Sequence, residues 1–196
     1  MQVTEQTMAV QQYLTFFLGG EEYAVSILQV REIIEFGNVT RVPSTPACVR
    51  GVINLRGSVL PVIDPSVKFG FIASEPTKQT CIVVVETELD GQSTVIGIMT
   101  DAVNQVVELR DEQILPPPSF GTRVHLDFLH GLGQVGEGFV LILNLGRLLT
   151  TEELLEATQV PELNSAEQPD ISAESPAEDS SVVPHEQGDT GQASAQ

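Results

Sequence analysis

Several short stretches hold residue types capable of chemistry, and each is judged by the element that would carry it. GLGQVG, residues 131–136, fits the G-x-G-x-x-G pattern of dinucleotide binding. That pattern works where the glycines follow a strand and open a helix whose N-terminus holds the pyrophosphate. Here an apolar strand pattern, FVLILNL, comes next, so a glycine-rich turn is expected. His125 and His130 differ by an odd number of positions, which on an extended segment sends them to opposite faces and not to one metal. Asp189-Thr190-Gly191 matches the aspartic-protease tripeptide but occurs once, in a polar terminal segment. Glu86 and Glu88 share a strand face and, with Asp90 beyond them, read as a solvated edge near a hairpin instead of an acid/base pair. No serine or cysteine has a nucleophile setting such as G-x-S-x-G. Cys48 and Cys81 lie in apolar contexts without metal or redox spacing and read as small buried hydrophobes. The expectation is no catalytic residue, no cofactor site and no metal site.

The most unusual stretch is RGVINLRGSVLPVID, residues 50–64: an apolar run that carries two Arg-Gly pairs, in a chain with only nine basic residues. An arginine cannot shed its charge, so burying one without a partner costs several kcal/mol, roughly. A short helix or tight turn over residues 49–55 would bury the apolar side chains, with Gly51 and Gly57 allowing close backbone approach. Arg56 then emerges at the junction of the two subdomains, and Arg50 is expected to be an exposed, solvated end.

Composition narrows the classes further. The 196 residues carry a net charge of −18, and the first 160, with 19 acidic against 9 basic residues, keep −10. Nucleic-acid binding draws its free energy from basic contacts to phosphate, and no basic cluster exists here; anionic membrane leaflets would repel the same surface. MQVTEQTMAV lacks the basic start and apolar run of a secretion signal, and no apolar run approaches a membrane span, so a cytoplasmic protein is expected. Residues 161–196 hold eight acidic residues, no Lys or Arg and no aromatic, which predicts a disordered acidic tail.

Strand signals dominate the remainder. YLTFFLGGEEYAVSI places Gly19-Gly20 between two β-rich runs, and TCIVVVETELDGQSTVIGIM places Asp90-Gly91 likewise; both predict hairpins. Thr45-Pro46 predicts a brief helix through Cys48 and Val52, and Thr150 with Glu153 is a capping box opening a last helix, TEELLEATQ. LPPPSF, residues 115–120, reads as a stiff connector. GVINLRGSVLPVID and GLGQVGEGFVLILNL share two glycines and then an apolar run, an internal echo that suggests two related β subdomains. Short strands punctuated by Gly and Pro indicate an all-β sandwich or barrel.

EEYAVSILQVREII, followed by VTRVPSTPACVRGVINLRGSVLPVID and then by VIGIMTDAV, EQILPPPSF and FLHGLG, resembles the CheW family of chemotaxis adaptors, over residues 13–157. The resemblance implies two small five-stranded, SH3-like barrels around a shared core, with short helices, one of them near the end of the domain. The implied domain spans residues 13–160, between a flexible N-terminus, 1–12, and the acidic tail, 161–196. It implies a protein without enzyme activity or cofactor, coupling a CheA-type histidine kinase to the cytoplasmic tips of methyl-accepting chemoreceptors. Such an adaptor is recruited to membrane arrays through its partners and binds neither nucleic acid nor membrane. By resemblance the receptor-binding residues are Val30, Glu32, Gly51, Asn54, Arg56, Gly57 and Val106, and a Glu32–Arg56 ion pair would satisfy a partly desolvated guanidinium. The family pattern has an apolar residue where this chain has Pro65 after Asp64, which predicts a disturbed backbone pairing there. Three alternatives stand beside this reading: a module of a related chemosensory system with another output, a regulatory domain of a larger kinase, and an enzyme with an unrecognised site. The Met1 start and the terminal tail favour a stand-alone adaptor.

A segment that contributes no packing contributes no stability, so deletion of residues 161–196 is expected to leave the thermal midpoint unchanged. A calorimetric fall of more than about 4 °C, roughly 1 kcal/mol, would contradict the disordered-tail reading.

Overall fold

Apolar runs without polar alternation arise when a strand is covered on both faces, and CIVVVETEL behaves in this way. In the computed structural model Ile82 and Val84 point into one apolar cluster, while Val83 and Val85 point into another. The structure describes residues 10–73, 75–117 and 124–158, which belong to one compact unit, Met1–Pro161. The acidic tail, residues 1–9 and the PSF end of LPPPSF lie outside the described residues.

Two antiparallel-rich sheets make up the fold. β3 (Val30–Glu35), β4 (Val49–Leu55), β5 (Ser58–Ile63), β6 (Cys81–Leu89) and β7 (Gln92–Thr100) form a middle sheet in the order β3-β6-β7-β5-β4. The terminal sheet takes β1 (Val10–Leu18) and β2 (Glu21–Ser26) from one end of the chain. From the other end it takes β8 (Ala102–Arg110), β9 (Ile114–Leu115), β10 (Leu129–Val135) and β11 (Gly138–Leu143), in the order β8-β1-β2-β11-β10-β9. Both curl into SH3-like barrels. The two orders are the same after circular permutation, and each contains one parallel pair: Val62 beside Gly97 in the middle barrel, Leu141 beside Tyr23 in the terminal one.

The internal echo is therefore structural. Gly51 and Gly131 stand at equivalent irregularities in β4 and β10, opposite Val62 and Ile142. A Cβ on Gly51 would lie 2.2 Å from the Thr40 carbonyl oxygen, and one on Gly131 would lie 2.6 Å from the Leu115 carbonyl oxygen. In each barrel the chain turns a corner there and closes back on the sheet. The closing segment in the middle barrel is the single bridge Thr40–Val52, while the terminal barrel uses the two-residue β9 as a sixth strand, one more than the expected five.

Between the barrels lies a shared core, in which Leu14, Phe16, Tyr23 and Val25 meet Ile63, Val83, Val85, Ile96 and Ile98. Smaller clusters fill each barrel, around Leu60, Val62 and Met99 in one and Tyr13, Leu109 and Val140 in the other. Both predicted hairpins form, with left-handed φ at Gly19 and Gly20 and at Asp90 and Gly91. The capping box forms as well: the Glu153 amide donates to Thr150 Oγ1 at 3.2 Å, and the Thr150 amide donates to Glu153 Oε2 at 3.0 Å, opening α2 (Thr151–Thr158).

Four expectations need correction. β1 begins at Val10, so the strand reaches into the segment expected to be a flexible N-terminus. Thr45-Pro46 makes one turn, closed by the Val49 amide on the Pro46 carbonyl at 2.8 Å, and the β-branched Val49, Val52 and Ile53 then continue as a strand. Pro65 does not disturb a ladder; it occupies the first turn of α1 (Pro65–Lys68), where a missing donor costs nothing. Gly131 and Gly133 of GLGQVG lie inside β10, and only Gly136 is in the turn.

Gly51 has a φ of 145° and no space for a side chain, whereas Gly57, with a φ of 91°, meets open space. Gly51→Ala is expected to destabilise the domain by about 3 kcal/mol or more and Gly57→Ala by about 1–2, measured by urea unfolding. Equal losses would mean that the approach to Thr40 does not close the barrel.

Candidate functional site

The β4–β5 hairpin turns through Arg56-Gly57, both with left-handed φ, 53° and 91°. For an arginine this conformation is strained, and local contacts hold it. Asn54 Oδ1 accepts the Gly57 amide at 2.8 Å, and Arg56 Nη2 donates to Glu32 Oε2 on β3 at 3.0 Å. The expected ion pair is present, but the Arg56 side chain is 80% exposed and that of Glu32 26%, so the guanidinium is solvated and not partly desolvated.

Glu32, Asn54, Arg56 and Gly57 thus share one exposed ridge. Gly51 and Val30 are elsewhere in the same barrel: Gly51 at the corner against Thr40, Val30 packed on the shared core. Val106 stands apart, half-exposed on β8 of the terminal barrel, where it pairs with Leu14.

Arg50 departs from expectation. Its side chain is 20% exposed, and its Nε stands 3.6 Å from Oδ2 of the buried Asp64. Asp64 Oδ1 accepts the Ser66 amide at 3.0 Å and caps α1. Burial pushes the Asp64 carboxyl above its ordinary range, a shift that Arg50 and the amides of α1 only partly offset. The signal was available: aspartate followed by proline is a helix N-cap and first-turn pair.

From α1, Lys68 Nζ donates to both Glu153 oxygens, at 2.5 and 2.7 Å, and so ties α2 to the middle barrel. Cys48 is buried and Cys81 half-buried, both as free thiols. His125 and His130 are exposed, Glu86 pairs with Arg31 at 2.6 Å, and Glu88 faces solvent. Among the described residues no group of three or more His, Cys, Asp or Glu is arranged to hold a metal, and no helix is long and apolar enough to cross a membrane.

Residues 12–153 match the model of the CheW-like domain. The chain belongs to that family. It is similar to Chemotaxis protein CheW of Klebsiella aerogenes, 39% identical over 144 residues, covering 74% of this chain and 84% of that one. It is also similar to Protein FrzA of Myxococcus xanthus, 30% identical over 146 residues, covering 72% and 86%. Among solved structures it resembles scaffolding protein TtCheW of Thermoanaerobacter tengcongensis, with a TM-score of 0.66 and 29% identity over 78% of this chain and 96% of that one. The CheW-like domain therefore accounts for both barrels and the first residues of α2.

Glu153 gives a pH test of how α2 is held. Burial alone would push its carboxyl up, but Lys68 and the Thr150 amide hold it below the ordinary range. A depressed folded value means stabilisation that is complete above the unfolded value, about pH 4.3, and lost as pH falls through the folded one. Glu153→Gln is expected to cost about 1–2 kcal/mol at pH 7, with the difference from wild type vanishing in strong acid. Urea denaturation across pH measures this; a pH-independent difference would reject the ionic tie.

Proposed function

We propose that this CheW-like chain is a non-enzymatic adaptor that couples a CheA-type histidine kinase to chemoreceptor signalling tips. It works in the cytoplasm and reaches the membrane array through those partners. The observation that carries this reading is the Glu32–Arg56 pair, at 3.0 Å on an exposed hairpin ridge. A solvated pair of this kind contributes little to folding, under about 1 kcal/mol, yet a strained turn and the Asn54 contact fix its position. A fixed, exposed cation beside a partly buried anion suits recognition of a partner with the reverse pattern. In this reading Val30 and Gly51 support the receptor face, Val106 extends it onto the terminal barrel, and the kinase binds a different, more apolar surface at the barrel ends. The likeness to Protein FrzA supports a second reading, in which the same adaptor serves a related chemosensory system with another output.

Arg56→Glu sets two carboxylates together and reverses the sign shown to the receptor. Receptor affinity is expected to fall about tenfold or more, roughly 1.4 kcal/mol, while kinase affinity and the unfolding midpoint stay close to wild type. The exchange variant Arg56→Glu with Glu32→Arg restores the pair but not the sign presented. If Arg56→Glu unfolds the domain, or weakens both partners equally, the receptor face lies elsewhere.

A further inference from the structure

We propose that the cleft beneath residues 36–50 of the middle barrel is a docking site for a short acidic segment of a partner protein, with apolar residues flanking its carboxylates. The cleft encloses 560 Å³, within the range of sites that hold ligands. Phe36, Val42, Pro46 and Pro76 give it apolar walls, Arg41 supplies an exposed charge, Arg50 stands in the wall beside Asp64, and no carboxylate is among its described lining residues. In a chain with 27 acidic and 9 basic residues, this lining departs from the overall composition.

The cleft is also preformed. Arg50 is held in its wall beside the buried Asp64, at 3.6 Å, so little side-chain freedom remains to be lost on binding. The loop above it is pinned by the Thr40–Val52 bridge, by Thr45 Oγ1 donating to the Val42 carbonyl at 3.0 Å, and by the Val49 amide on Pro46. Arg41 is exposed and makes no ion pair among the described residues, so its charge is available to a partner. An arginine fork pairs with a carboxylate through two parallel hydrogen bonds, and the apolar walls suit the residues on either side of it. Nucleic acid or an anionic membrane would bring many phosphates against a chain of net charge −18, whereas a short acidic segment meets mainly Arg41. The site uses neither Glu32 nor Arg56, so it stands or falls separately from the receptor face.

The test is an amide-resolved NMR titration of the full chain with a blocked pentapeptide alternating leucine and glutamate. The same peptide with lysine for glutamate, and inorganic phosphate, serve as comparisons. Saturable shifts are expected within residues 36–50 for the glutamate peptide alone. Arg41→Ser is expected to weaken that binding at least tenfold with an unchanged unfolding midpoint, and Arg41→Glu to transfer preference to the lysine peptide. Shifts outside this loop, no saturable shift, indifference to Arg41→Ser, or an equal response to phosphate would each overturn the proposal.

Discussion

One buried carboxylate sits where three parts of the middle barrel join. Asp64 follows β5, donates its own amide to the Cys48 carbonyl at 2.8 Å, caps α1 through the Ser66 amide and keeps Arg50 at 3.6 Å. α1 then carries Lys68 to Glu153, and with it α2. Desolvation makes Asp64 costly as an anion, and Arg50 offsets only part of that cost. The sign follows: above the ordinary aspartate range its burial opposes folding, and protonation in acid relieves it. Such an arrangement is better understood as fixing geometry than as adding stability. It determines where the sheet stops, which way α1 leaves, and where an arginine lines the neighbouring cleft.

Circular permutation supplies the second constraint. The hairpin β1–β2 starts the chain but completes the barrel built from β8 to β11, so in sequence the middle barrel is inserted between the two halves of the terminal one. Tyr23 of β2 stacks on Phe69 at the end of α1, with ring centroids 5.7 Å apart, and Phe69 meets Phe128 at 5.5 Å. These rings join the barrels through apolar contact, which is dense and resists sliding. An adaptor needs two faces in a fixed relation, and a shared core provides that relation without a hinge.

Much of this was legible in the chain. Gly19-Gly20 and Asp90-Gly91 announced their turns because left-handed backbone demands particular residues, and Thr150 with Glu153 announced a helix because caps are local. The repeated Gly-to-apolar pattern reported the duplication through Gly51 and Gly131. What was not legible depended on pairing across the sheet. Arg50 and Asp64 meet only through the β4–β5 register, so the two arginines exchanged roles: Arg50 is the enclosed one and Arg56 the solvated one. The family pattern at Pro65 hides the cap that its own Asp64 supplies, and the strand tendency of Val49, Val52 and Ile53 outweighs the helix start at Pro46. Val106 is a receptor-binding residue by resemblance alone, and its place on the terminal barrel comes from the pairing of β8 with β1.

The adaptor reading is tested most directly by kinase output in a reconstituted mixture. Autophosphorylation of a CheA-type kinase would be followed with a receptor signalling fragment, with and without this chain. The account predicts that receptor control of the kinase appears only when the chain is present, and saturates with its concentration. A phosphorylation rate that responds to the receptor equally well without the chain, or never responds with it, would contradict the account.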